Sequence, residues 1–201
     1  LRLTSTFPYA GKVRFYPRPM VRHHYQGAGP AAESEQKHVR KYDWVSHGLM
    51  QKLADGTPIP QSEATFVQQS AIWLRPDERG LLPATTQTLE GDYRLWSQQV
   101  QPRVTLDRVS SASRIYHIGR VSYADGCGLW FAAQAADRAW FERLERGLSY
   151  LADSGLGGLR SIGHGAFTWH VGEGEALPVV TQPGGYAVTL ARYAPKGVEE
   201  V

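Results

Sequence analysis

The chain has 201 residues, 42% of them hydrophobic, and 22 Lys+Arg against 19 Asp+Glu give a formal net charge of +3. That is long enough for one large domain or two small ones with real cores, so a disordered chain is excluded. No apolar run approaches the roughly 20 residues of a membrane span, and a lone Cys127 excludes a disulfide framework and a multi-cysteine metal site.

The first residues lack the pattern of a signal peptide, so the expectation is a cytoplasmic protein without membrane contact. The charge is unevenly spread. Arg2, Lys12, Arg14, Arg18, Arg22, Lys37, Arg40 and Lys41 face only Glu33 and Glu35 in residues 1 to 41. A second basic block carries Arg103, Arg108, Arg114 and Arg120 against Asp107. Such blocks are either solubilising charge or the footprint of a phosphate-backbone binder.

In chain order, LRLTSTFPYAGKVRFYPRP alternates at Lys12 to Tyr16 between prolines 8, 17 and 19, which suits an edge strand or a lining loop with its basic residues projecting. VRHHYQGAGPAAESEQ has loop composition. Ser46 is placed to cap a short helix, HGLMQKLADG, ending near Gly56. Residues 57 to 100, punctuated by Pro58, Pro60, Pro76 and Pro83, read as an irregular insertion. RVTLDRV, RIYHIGRVSY and CGLWFAA are β-branched and aromatic, and the last two are expected to form a hairpin around Asp125-Gly126. Asp137 to Ala152 is the clearest helix, with Trp140, Leu144, Leu148 and Leu151 at helical spacing. FTWHV and YAVTLARY are expected as strands after it. The order is that of an α+β protein with a ferredoxin-like or RNA-recognition-type layout.

Between that helix and the next strand lies GLGGLRSIGHGAF, with glycines at 155, 157, 158, 163 and 165. Phosphate-cradling loops follow a strand and open a helix. This one leaves a helix, and it fits neither nucleotide-binding motif. Two readings remain. Either Gly155 is a helix C-cap and the rest a tight turn, or the glycines let an extended ligand approach the backbone while Arg160 supplies charge and Ser161 a hydroxyl. The seven histidines have no metal-ligand spacing. His23 and His24, beside Arg22 and Tyr25, are either surface residues or an acid and base for RNA cleavage. Asp107-Arg108 is either a local salt link or a phosphate contact with the serines that follow. Arginines interleaved with aromatics in KVRFYPRP, with Tyr116 and His117, suit single-stranded RNA.

Taken in order, TSTFPYAGKVRFYPRP, KHVRKYDWVSHGLMQKLADG, RVTLDRVSSASRIYHIGRVSYADGCGLWF, LADSGLGGLRSIGHGAF and YAVTLARYAP resemble the motif series of the RAMP-superfamily, Cas5-type subunits that hold the crRNA 5′ handle in type III-A (Csm) CRISPR complexes. The resemblance spans nearly all of the chain except residues 57 to 100. It implies two packed ferredoxin-like (RRM-like) modules, residues 1–110 and 111–201, the first without the strand and helix that precede the FPY motif in the family. On that basis the chain, which opens on Leu1, reads as a piece of a longer protein. The implied role is a non-catalytic scaffold that needs no cofactor and no metal. Its implied partners are crRNA, a large polymerase-like subunit and a backbone RAMP subunit. Carried over residue by residue, Gly155, Gly157, Gly158, Arg160, Ser161, Gly163, His164 and Gly165 match the RNA-facing loop. Lys12, Arg14 and Arg18 match the basic FPY region, and Arg108 the Asp-Arg motif, where a structural role is the alternative. The rival implied functions are a RAMP endoribonuclease processing precursor crRNA and the equivalent type III-B subunit.

Overall fold

The computed structural model describes residues 1–20, 25–26, 42–55, 57, 59–60, 63, 65–108, 112–172, 177 and 188–191. His23, His24, Gly56 and half of YAVTLARY (residues 186, 187, 192 and 193) lie outside them. The chain is α+β and divides into two compact units, one of them Thr6–Trp130 and the other built from Leu1–Ser5 and Phe131–Leu177.

The first of these units is organised by a six-stranded sheet. Its strands are β2 (Phe7–Ala10), β3 (Val13–Pro17), β5 (Trp44–Ser46), β7 (Thr65–Val67), β8 (Ile72–Leu74) and β11 (Cys127–Trp130), in the spatial order β11-β2-β3-β5-β8-β7. All neighbours are antiparallel except β5 and β8. Between β5 and β7 the chain forms helix α1 (His47–Ala54). A short parallel pair, β4 (Tyr25–Gln26) with β6 (Ile59–Pro60), stands apart from the main sheet.

Strand periodicity sorts the core into two layers. Val13, Phe15, Ile72 and Leu74 face one side, where they pack with Ala10, Val67, Leu82 and Leu95. Tyr16, Val45 and Trp73 point to the opposite side, with α1 packed on β3, β5 and β8 and contributing buried Leu49, Met50 and Leu53. Phe15 and Tyr16 are adjacent and both fully buried, which only a strand covered on both faces allows.

Two sequence expectations change here. KVRFY is not an edge strand, since β3 lies between β2 and β5. Its prolines are accommodated locally: Pro17 is the last residue of its strand, and Pro8 lies outside the two-pair ladder of β2 with β3, opposite Leu129 of β11 on the other side. Residues 57 to 100 are not irregular throughout, because β7 and β8 supply the fully buried Ile72, Trp73 and Leu74.

The turn between β7 and β8 is unusual. Gln68, Gln69 and Ser70 have φ of 56°, 56° and 68°, three successive non-glycine residues in left-handed backbone, each disfavoured by its Cβ. Gln69 is exposed and its own N–H is held by the Asp92 carboxylate at 3.0 Å. Gln69→Gly removes the Cβ and leaves that bond, so it should stabilise this unit by about 1 kcal/mol. An unchanged or lower urea midpoint would show that the turn is unstrained.

Beyond Leu95 the chain forms two 11-residue strands, β9 (Trp96–Leu106) and β10 (Ser113–Tyr123), paired at every residue from Trp96↔Tyr123 to Leu106↔Ser113. At about 3.4 Å per residue this ribbon is roughly 35 Å long. The expected hairpin around Asp125-Gly126 is therefore replaced by the pairing of β10 with β9, beyond whose last pair the Asp107 N–H donates to Ala112 O at 2.9 Å. The reason lies in the turn. Gly126 has φ of 77° whereas Asp125 does not have a positive φ, and a two-residue hairpin of the Asp-Gly kind needs positive φ at both. The chain instead turns out of the ribbon and into β11 on the edge of the main sheet.

In the second unit, β1 (Arg2–Leu3) pairs with β12 (Ala133–Gln134), and helix α2 (Arg138–Ser154) follows. Asp137 caps it as expected, its Oδ1 accepting from the Ala139 N–H at 2.9 Å. Gly155, with φ of 78°, ends it. FTWHV forms no strand, since residues 167–171 find no ladder partner among the described residues.

Candidate nucleic-acid interface

The glycine segment closes on itself. The Leu156 N–H donates to Gly165 O at 2.9 Å, the His164 N–H to Leu159 O at 3.3 Å, and the Phe167 N–H reaches back to Ala152 O at 3.4 Å. Arg160–Ile162 form a single 3-10 turn that ends at Gly163, whose φ is 83°. The five glycines thus do two different jobs. Gly155 is buried at the crossing, where a Cβ would lie 2.9 Å from His164 O, and a Cβ on Gly165 would lie 1.9 Å from Leu156 O. These two let the arms cross. Gly157, Gly158 and Gly163 are exposed with nothing within 4 Å of a built Cβ. Gly155 is the helix C-cap of the first reading, while Gly157, Gly158 and Gly163 leave open space beside the backbone. Arg160 and Ser161 are exposed on it, and His164 is half-buried.

The other sequence-chosen residues lie in the unit that holds the six-stranded sheet. Lys12 is exposed at the β2–β3 turn. Arg14 is half-buried on β3 with its guanidinium 5.6 Å from the centre of the Trp130 ring, and Arg18 lies 4.9 Å over Tyr42. Both cations are spent at least partly on packing against aromatic faces. Burial pushes the Tyr42 phenol far above its ordinary range, while the Arg18 charge and hydrogen bond pull the other way. That ring stays neutral. Arg108 is exposed at the ribbon's tip, a ribbon's length from the sheet, so the structure does not bring it together with Arg14 and Arg18.

The ribbon orders the second basic block. Its register puts Arg103 opposite Tyr116, and Arg114, Tyr116, Ile118 and Arg120 follow at a spacing of two on the same face. All three arginines are exposed, and Tyr116 is 45% exposed. Val100, Val104, Ile115 and Val121 take the opposite face with His117, and all are exposed. A stripe of guanidinium groups around an aromatic ring suits a single-stranded polyanion with stacking bases. The even spacing of residues 114, 116, 118 and 120 is the signal that reveals this face in sequence.

Reactive chemistry is sparse. Cys127 is half-buried, and burial, with the Asp125 carboxylate adding to it, pushes the thiol up to about 11, so it stays protonated near neutrality. Among the described residues no three His, Cys, Asp or Glu side chains cluster in a way that would hold a metal. No described helix is long and apolar enough to cross a membrane.

No family model matches the chain. A curated relative, the CRISPR system protein Csm4 of Thermococcus onnurineus (strain NA1), is 25% identical over 199 residues, covering 96% of this chain and 58% of its own. The chain thus spans little more than half the length of that relative. Among solved structures, a Csm3-Csm4 subcomplex of the type III-A CRISPR-Cas interference complex superposes with a TM-score of 0.55 at 15% identity, over 78% of this chain and 49% of the other. A Csm1-Csm4 cassette in complex with cA4 superposes at 0.45 with 18% identity.

Proposed function

We propose that the chain, which is similar to Csm4 of type III-A CRISPR systems, is a RAMP-type, non-catalytic scaffold subunit holding the repeat-derived 5′ handle of crRNA. The observation that carries this reading is the self-closed glycine loop, on which Arg160, Ser161 and three open glycines are exposed. Gly157, Gly158 and Gly163 let an extended strand lie against bare backbone, and Arg160 neutralises a phosphate there. The arginine face of the ribbon is a second contact for RNA. On this reading the chain is built on two ferredoxin-like modules, residues 1–110 and 111–201. Its partners are the backbone RAMP subunit, of the Csm3 kind, and the large polymerase-like subunit, so that the chain links the two for antiviral defence.

Arg160→Glu in the complete protein should weaken binding of repeat-derived 5′-handle RNA roughly tenfold and lower the slope of log affinity against log salt by about one. Filter binding across a salt series measures both. Equal affinity and slope in the variant would remove the loop from the RNA surface. Incubating the same protein with repeat RNA in EDTA tests the non-catalytic role, which specific cleavage would overturn.

A further inference from the structure

The left-handed turn at Gln68 to Ser70 has a second side. Its backbone places the Gln68 carboxamide against the chain where the ribbon begins: Oε1 accepts from the Leu95 N–H at 2.6 Å, and Nε2 donates to Trp96 O at 2.8 Å. One donor and one acceptor in a plane are what a peptide group offers, so this side chain replaces a rung of a third strand. The Gln68 N–H also donates to Tyr93 O at 3.0 Å, and Asp92 holds the N–H groups of Gln69 and Tyr93 with its two carboxylate oxygens. Just past the end of β10 the Ala124 N–H donates to Leu95 O at 2.9 Å. Leu95 is fully buried in the core, and Trp96, the next residue, opens the ribbon.

Among the described residues this long two-stranded ribbon has no neighbouring strand to fix its direction. Its angle to the sheet is set at its root. We propose that Gln68 is the positioning residue that aims the β9–β10 ribbon, and that the left-handed turn exists to hold its carboxamide in place of a strand. Three successive non-glycine residues in this backbone persist only where surrounding bonds over-determine them, and the bonds that do so here converge on Tyr93, Leu95 and Trp96. The aiming itself is a property of the free protein. Its consequence for RNA rests on the reading of the ribbon's arginine face given above.

The test uses the full-length protein with Cys127→Ala and spin labels at Thr57→Cys and Thr105→Cys, one beside α1 and one near the ribbon tip. In this parent the label-to-label distance should be a single narrow distribution. Gln68→Met, which keeps the side-chain volume and loses both polar ends, should at least double its width and speed hydrogen exchange at the Leu95 amide about tenfold, while the Val45 amide in the sheet keeps its rate. Gln68→Glu, whose carboxylate would face Trp96 O, should do the same. Gln69→Gly keeps the carboxamide and should leave the parent distribution unchanged. A narrow distribution in Gln68→Met, or equal acceleration at Leu95 and Val45, would reduce Gln68 to an ordinary structural contact and overturn the proposal. RNA affinity is read separately: a broadened ribbon with unchanged affinity keeps the aiming role and removes the ribbon from RNA binding.

Discussion

Trp73→Ala should destabilise the Thr6–Trp130 unit by about 3–5 kcal/mol, the range for emptying a large aromatic site in a core. The side chain is fully buried at the centre of β8. Its ring stacks on Phe66, its directly opposite partner on β7, with centroids 5.7 Å apart, and meets the edge of Tyr42 at 5.2 Å. Its indole N–H reaches Glu63 O at 3.4 Å. Alanine would lose the transfer energy of the ring, strand both aromatic neighbours and leave a void between the sheet and the residues that cover it, which short strands pinned on both sides relax poorly. Trp140, 44% exposed on α2, is the control, and its alanine variant should cost well under half as much. Urea unfolding followed by circular dichroism reads both. Equal costs would mean that the layer at Trp73 is not the core of its unit.

Trp73 also marks where sequence and structure part. Its strand has three residues, Ile72 to Leu74, and so does its partner, Thr65 to Val67. Neither is long enough for an alternation to show. The turn between them, Gln68-Gln69-Ser70, contains none of the glycine, proline or asparagine that turn recognition depends on. Helix α2 was legible because four apolar residues recur at 140, 144, 148 and 151 behind an aspartate cap whose bond the structure contains. Of the ribbon, β10 and the end of β9 from Arg103 were legible as strands, whereas residues 96–100 fell in the stretch read as irregular and the pairing was not legible. Asp125-Gly126 has the composition of a hairpin turn, and only the backbone angle at Asp125 separates that turn from one that sends the chain to another sheet. At the candidate site, the interleaving of arginine and aromatic residues in KVRFYPRP has two physical outcomes with one sequence signature. Bases stack on aromatics held between arginines, and arginines also lie over aromatics inside a protein. Arg14 over Trp130 and Arg18 over Tyr42 are of the second kind. The glycine loop was found for its composition, but which glycines close it and which expose backbone required the crossing of residues 155 and 165.

Gly165→Ala in the complete protein should weaken binding of handle RNA by about 10–100-fold while leaving α2 folded. The residue has φ of 83°, where a Cβ costs about 1–2 kcal/mol, and that Cβ would sit 1.9 Å from Leu156 O and 2.8 Å from Leu156 N and C. Those atoms are backbone, and no rotamer change removes the clash. The arms must separate, and the bond from the Leu156 N–H to Gly165 O at the crossing breaks. With it goes the fixed spacing between Arg160 on the 3-10 turn and the open glycines beside it. Each 1.4 kcal/mol lost from the arrangement that RNA meets is a tenfold loss in affinity. Helix α2 ends before the crossing and is capped independently at Asp137, so its far-UV signal should persist. Gly158→Ala separates geometry from surface. Its Cβ would meet nothing within 4 Å and its φ is not positive, so the loop keeps its shape and gains one exposed methyl group. If RNA lies against the bare backbone there, that methyl group alone should weaken binding several-fold. Handle RNA binding Gly165→Ala within twofold of the parent would show that the crossing does not shape the RNA surface. Gly158→Ala binding as the parent does would move the RNA path away from residues 157 and 158, towards Arg160 and Gly163.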